Sequence, residues 1–162
     1  MASRPSSTRA SHRLSTPVPV PDDVWEDLHE IFPSLERANC WITSEIYSEE
    51  FTCVNWSTDR WETTHEVDAV SKTRALLKEL GCKETGARGA DANVDLMGTA
   101  ENGYGTHVTC KYDGPRPDGM PAGLWETFMF PSTCFTHGRF EVEQPDGSTK
   151  RGYGKVVASF IR

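Results

Sequence analysis

The stretch Phe51-Thr52-Cys53-Val54-Asn55-Trp56-Ser57-Thr58-Asp59-Arg60-Trp61 sets a cysteine among aromatic residues, directly after an extended segment. Val54 to Trp61 contains neither Pro nor Gly, so the residues after Cys53 can form one or two helical turns that start at the cysteine. A thiol at that position faces the positive end of the backbone dipole, which favours the thiolate and makes Cys53 the candidate nucleophile. The competing reading is a small buried core residue, the commonest fate of a free cysteine.

Working outward, Cys40 to Tyr47 carries Trp41, Ile42, Thr43, Ile46 and Tyr47 and reads as extended. Pro21 to Phe32 reads as a helix with Asp22 and Asp23 at its positive end and Trp25, Leu28 and Phe32 on one face. After the cysteine, Thr63-Thr64-His65-Glu66 has the form of a capping box, with Val70, Leu76, Leu77 and Leu80 as the buried stripe and Gly81 as the C-terminal stop. From there the chain becomes short extended runs between Gly- and Asp-bearing turns: Asn93 to Met97, Thr106 to Tyr112, Trp125 to Phe130, Thr133 to Val142 and Thr149 to Ile161. In Thr106 to Tyr112, His107, Thr109 and Lys111 alternate with Val108, Cys110 and Tyr112, the period of a strand with one covered face. Asp146-Gly147 predicts a hairpin whose register sets Glu143 opposite Lys150 and His137 opposite Val156. Helices first and antiparallel strands afterwards predict an α+β domain. The Pro- and Gly-rich stretch from Asp113 to Gly123 is read as a lid or binding loop.

Of the 162 residues, 1–20 are rich in Ser, Thr, Arg and Pro with only Leu14, Val18 and Val20 to bury, and are expected to be a disordered tail before a single domain at 21–162. A transit peptide is the rival reading of that Arg-rich, acid-free start. The net charge is −7, and with three of the 17 basic side chains in the tail, 14 remain against 24 acids. Such a body repels phosphate backbones, which argues against nucleic acid as a partner. No run is long enough for a membrane span, and a cytoplasmic setting is expected. The five cysteines, Cys40, Cys53, Cys82, Cys110 and Cys134, are spaced 13, 29, 28 and 24 residues apart. That spacing fits neither a disulfide framework nor a zinc site, so neither metal nor cofactor is expected.

A cysteine nucleophile needs a base. His12 falls in the tail, His29 and His65 in helices, which leaves the strand histidines His107 and His137. Tyr47 and Trp56 are the candidate substrate contacts beside the cysteine. Each also has a bland reading, since a strand histidine is usually structural and the five tryptophans suit a core.

Phe32-Pro33-Ser34-Leu35, Ile42-Thr43-Ser44, Cys53-Val54-Asn55-Trp56, Arg60-Trp61, Leu80-Gly81, Thr136-His137-Gly138 and Asp146-Gly147 stand in the order of a known pattern. The chain resembles a domain-of-unknown-function family with Asn-Cys-x-Ala-Trp and Thr-His-Ala-x-Arg motifs. Thr52, Asn55 and Gly138 depart from those motifs. The order of cysteine, helix and strand histidine is in turn similar to papain-like and NlpC-type cysteine peptidase folds. The resemblance implies N-terminal helices packed on an antiparallel sheet, and Cys53 paired with His137 as nucleophile and general base. The function expected on that basis is a cysteine-dependent hydrolase or acyl transferase acting on a small-molecule or peptide-like substrate. Two other classes fit the same residues: a non-covalent isomerase or cyclase using cysteine and histidine as acid and base, and a non-enzymatic binding or immunity-type module with a buried cysteine.

Overall fold

The computed structural model of the chain describes residues 8–45, 52–98, 106–129, 133–144 and 153–162, and the structural statements below concern these. Helices α1 (Arg9–His12), α2 (Asp22–Ile31), α3 (Cys53–Thr58) and α4 (Val70–Glu79) accompany eight strands. These are β1 (Val18–Pro19), β2 (Trp41–Ser44), β3 (Lys83–Thr85), β4 (Val94–Gly98), β5 (His107–Lys111), β6 (Trp125–Met129), β7 (Thr133–His137) and β8 (Lys155–Ile161). They form one antiparallel sheet in the order β1-β2-β7-β6-β5-β4-β8-β3, so the chain has the mixed α+β character that its pattern predicts.

Strand alternation sorts the sheet's side chains into two cores. One face carries Val94, Leu96, Val108, Cys110, Phe128, Cys134, Ala158 and Phe160, covered by Cys53, Val54 and Trp56 of α3 and Leu77 of α4. The other carries Ile42, Met97, Phe135 and Val156, covered by Leu28 of α2 and by Phe32 and Leu35 after it. All five cysteines are free and buried. The central strands are therefore covered on both sides, and β5 differs from its one-covered-face reading: His107 is 4% exposed and Thr109 is fully buried.

Several expectations need correction. Residues 8–20 are not a disordered tail but a docked strap. Arg9 is buried and donates from Nη1 to the carbonyl oxygens of Trp56 (2.9 Å) and Ser57 (3.4 Å) at the end of α3. Arg13 donates to Asp113 (2.5 Å) and to the fully buried Glu126 (2.6 Å), and Val18 and Pro19 pair with β2. Apolar content is too low to hold this segment, and guanidinium hydrogen bonds hold it instead. Asp113, the first residue of the expected lid, is the anion of that clamp and also meets Arg162.

Helix α4 begins at Val70, with Ala69 as its cap, not at Thr63. The reason is Asn55, whose amide donates to the carbonyls of Arg60 and Thr63 and whose oxygen accepts from the His65 amide, holding 60–65 as a loop. Strand β7 stops at His137 because Glu141 turns back and accepts from the Gly138 amide. Past that turn, only a short ladder joins Tyr153 to Val142 and Gln144 to Gly154, and β8 pairs with β4 and β3 instead of β7. His137 thus does not oppose Val156, which pairs with Met97. Lys150 and the Asp146-Gly147 turn lie outside the described residues, as does Tyr47.

Gly154, at the entry to β8, has φ +36°, and a β-carbon there would lie 2.5 Å from the Gly98 carbonyl carbon. Gly154→Ala is expected to cost roughly 2–3 kcal/mol through strain and backbone clash, read as a lower urea midpoint. An unchanged midpoint would show that the β4–β8 approach is looser than described.

Candidate active site at a fork in the sheet

Helix α3 is short, and Thr52 fixes where it starts. The Thr52 hydroxyl accepts from the amides of Val54 and Asn55, while the Asn55 side chain accepts from the Thr52 amide, a reciprocal capping box. Cys53 is the first helical residue, as the sequence predicts. At the other end, Arg9 and Arg162 both donate to the Ser57 carbonyl. The helix is therefore clamped at both termini onto β5 and β6.

What it is clamped into is a fork. The β4–β5 ladder runs from Val94↔Cys110 to Met97↔His107, and the β6–β7 ladder from Trp125↔His137 to Met129↔Thr133. Between them, among the described residues, β5 and β6 pair only at Cys110↔Glu126 and Lys111↔Trp125. Beyond Cys110 the backbone of Val108 finds its partners on α3. Ser57 Oγ donates to the Val108 carbonyl (3.2 Å), and the Val108 amide acts on the Cys53 thiol in the direction that favours its thiolate. Cys53 and Ser57 are four residues apart, on one face of α3.

Chemically, Cys53 is a protected thiol. Burial pushes it up to about 11, although the amides of Val108, of Cys53 itself and of Val54 all favour its thiolate. The helix start thus lies where the sequence places it, but the acidity expected from it is outweighed by desolvation.

The two strand histidines differ sharply. His137 is fully buried with both ring nitrogens engaged. Nδ1 donates to the Gly138 carbonyl (2.7 Å), so Nε2 is the acceptor of the Thr127 hydroxyl (2.6 Å). Burial lowers it to about 4, with the Gly138 carbonyl working against the shift. It shares its sheet face with Phe135 and Thr127, the side opposite the α3 core. Neither ring nitrogen of His137 is open to Cys53. His107 precedes Val108, but its ring lies on the same sheet face as His137, opposite the α3 core, with Met97 as its partner on β4; its Nε2 is buried without a hydrogen-bond partner. Its ring stacks on Tyr153, with centroids 3.7 Å apart and planes 9° from parallel. Burial pushes it down to about 3, and His137 acts in the same direction. Tyr153 is raised by burial first and by the nearby Cys53 second, which places the phenol within electrostatic reach of the thiol.

No protein-family model matches the chain, and no curated protein or solved structure matches it.

Trp56, expected at the substrate, is fully buried: its indole N–H donates to Glu126 (2.9 Å) and its ring stacks on Phe128 with centroids 6.0 Å apart. Tyr47 lies outside the described residues. Among those described, no group of three His, Cys, Asp or Glu side chains can hold a metal ion, and no helix is long and apolar enough to cross a membrane. The sequence reading did not foresee the burial of Thr109 or single out Tyr153 and the Val108 amide. The signal for the first lay in the polar alternation of Thr106 to Tyr112, since a strand central in its sheet buries its polar side as well. Tyr153 left no comparable mark, because stacking on His107 depends on tertiary placement.

Proposed function

We propose that the chain is a cysteine-dependent hydrolase or acyl transferase in which Cys53 is the nucleophile and His107, rather than His137, is the general base. The observation that supports this is at the start of β5, where the Val108 amide favours the Cys53 thiolate and the preceding residue, His107, is a buried histidine whose Nε2 has no hydrogen-bond partner, its ring on the sheet face of Met97 and Tyr153. A papain-like, NlpC-type arrangement belongs to the same proposal, since α3 brings its cysteine end onto an antiparallel strand that bears the histidine.

Thiol and imidazole are both neutral in this state, so proton transfer accompanies attack instead of preceding it. The Cys53 proton is relayed by a water through the fork where β5 and β6 are unpaired to His107 Nε2 as sulfur bonds to the carbonyl carbon. The amides of Cys53 and Val108 hold the resulting oxyanion in this proposal. Collapse then breaks the bond to the leaving group, which takes the proton from His107, and water or an acceptor nucleophile releases the acyl group by the same route.

The test is turnover of a simple thioester such as S-phenyl thioacetate. Cys53→Ala is expected to abolish it, and His107→Ala to lower kcat by roughly 10²–10⁴-fold. His137→Gln, in protein that remains folded, is expected to retain most of it. Full turnover by the Cys53→Ala protein would remove the proposal, and inactivity confined to the His137 variant would return the base to His137.

A non-enzymatic binding module is the second reading, favoured by the 7% exposure of Cys53 and its thiol at about 11. It predicts that Cys53 alkylates at pH 7 no faster than a buried core thiol. The isomerase or cyclase reading predicts turnover with no covalent adduct on Cys53 by mass spectrometry.

A further inference from the structure

Three guanidiniums converge on one carboxylate near the end of α3 remote from Cys53. Arg9 and Arg13 come from the strap and Arg162 from just after β8, and they donate to Asp113 at 2.8, 2.5 and 3.4 Å. Their side chains are 5%, 6% and 20% exposed, whereas Asp113, at the head of the 113–123 stretch, is half-exposed.

This carboxylate does not satisfy them. Elsewhere in the chain a guanidinium grips a carboxylate along one edge, with Nε and Nη2 together. Arg74 holds Glu84 in this way (2.9 and 2.6 Å), and Arg139 holds Asp95 (2.7 and 2.9 Å). Arg9 turns the same edge to Asp113 but donates from Nη2 alone, and its Nε is buried without a hydrogen-bond partner. Arg13 Nε is without one as well. One oxygen of Asp113 serves Arg13 and the other is shared by Arg9 and Arg162, so two oxygens are divided among three guanidiniums. Buried N–H groups are nearly always partnered, and a donor excess here marks a site suited to an anion with more oxygens than a carboxylate.

The surroundings agree in room and in charge. Beside Asp113, the strap and the loop border a cavity of about 300 Å³ whose walls include Ala10, Arg13, Leu14, Ser15 and Pro115. With Asp113 turned out to solvent, the three guanidiniums face two carboxylates, Glu126 on Arg13 and Asp59 on the Arg9 amide, a surplus of one positive charge. That local sign is opposite to the net charge of the whole chain.

We propose that Arg9, Arg13 and Arg162 form a binding site for a small phosphate-type oxyanion, and that Asp113 is its internal occupant, displaced when the anion enters from the cavity. The anion accepts from Nε and Nη2 of Arg9 along one edge and from Arg13 Nη1 and Arg162 Nη2, a set that a tetrahedral group can serve. The strap stays docked through Arg13 and Glu126, and the loop that begins at Asp113 is released. The site is independent of the reading of Cys53.

Isothermal titration of the full chain with inorganic phosphate, at pH 7 and fixed ionic strength, tests this. Removing the internal competitor in Asp113→Ala is expected to tighten phosphate binding by about tenfold or more, and phosphate should raise the Tm of that variant more than that of the parent chain. In the Asp113→Ala background, Arg9→Lys keeps the charge but loses the fork, and Arg162→Gln removes a donor. Each is expected to weaken binding by about tenfold. Arg162 is the most exposed of the three, so its variant decides the matter where Arg9→Lys does not fold. Acetate at the same concentration should not bind measurably. Phosphate that binds Asp113→Ala no more tightly than the parent, or with an affinity that Arg162→Gln leaves unchanged, overturns the site. Phenyl phosphate identifies the source of the anion: tighter binding than inorganic phosphate supports a phosphomonoester with its organic body in the cavity, and equal binding supports the free ion at the same site.

Discussion

Replacing Glu126 by leucine is expected to cost about 3–5 kcal/mol of stability, because it leaves the buried Arg13 guanidinium without its buried anion and with only the half-exposed Asp113. Glu126 is fully buried and accepts from Arg13 (2.6 Å), the Thr43 hydroxyl (2.5 Å) and the Trp56 indole (2.9 Å), so one carboxylate ties the strap, β2 and α3 to β6. Burial opposes the charge on Arg13, but Glu126 and Asp113 more than offset it and hold the group firmly protonated. For a chain of this length the loss corresponds to a drop in Tm on the order of 10 °C. The diagnostic is a double-mutant cycle. Arg13→Met with Glu126→Leu is expected to be less destabilised than Glu126→Leu alone, since no unpaired charge remains. Strictly additive losses would show that the ion pair is not what holds the strap.

Acid is expected to unfold the protein at an unusually mild pH. His107 and His137 are held neutral in the folded chain, burial lowering them to about 3 and about 4, whereas the ordinary histidine value is 6.5. From pH 6.5 down to about 4 the unfolded chain therefore binds more protons than the folded one, and stability falls as pH falls across that window. Each histidine contributes roughly 1.4 kcal/mol per pH unit there, so the pair removes on the order of 5 kcal/mol between pH 6 and 4. That is comparable with the whole stability of an ordinary domain. Asp113, lowered by Arg13 and Arg9 against the cost of its burial, adds to the loss only below its ordinary 3.8. Urea midpoints at pH 7, 6, 5 and 4 read the slope directly. His107→Gln with His137→Gln should flatten it, and a wild-type midpoint that stays constant from pH 6 to 4 would contradict neutral burial of the pair.

Much of the fold was legible where local chemistry and burial agree. Helix α2 follows from the acids at Asp22 and Asp23 and the stripe of Trp25 and Leu28, and strands β4 to β6 follow from short extended runs between turns. The helix start at Cys53 was legible as well, since it needed only a run free of Pro and Gly behind a capping residue. Where a local signal competed with a distant partner, the partner won. The Thr63 capping box lost to the Asn55 side chain, and the long strand expected from Thr133 to Val142 lost its second half to the Glu141 turn. The strap was misread because its apolar content was counted while the carboxylates that take its arginines, Asp113 and Glu126, lay far along the chain.

The sequence by itself determined the α+β character and the position of Cys53 as the first residue of a helix, because each depends on residue order over a dozen positions or fewer. Only the tertiary structure decided which strand histidine keeps a ring nitrogen without a partner and whether the thiol is acidic. Strand packing leaves His107 Nε2 buried without a partner and binds both nitrogens of His137 to Thr127 and Gly138. Acidity is set by the balance between amide hydrogen bonds and desolvation, and desolvation depends on what the rest of the chain lays over the sulfur.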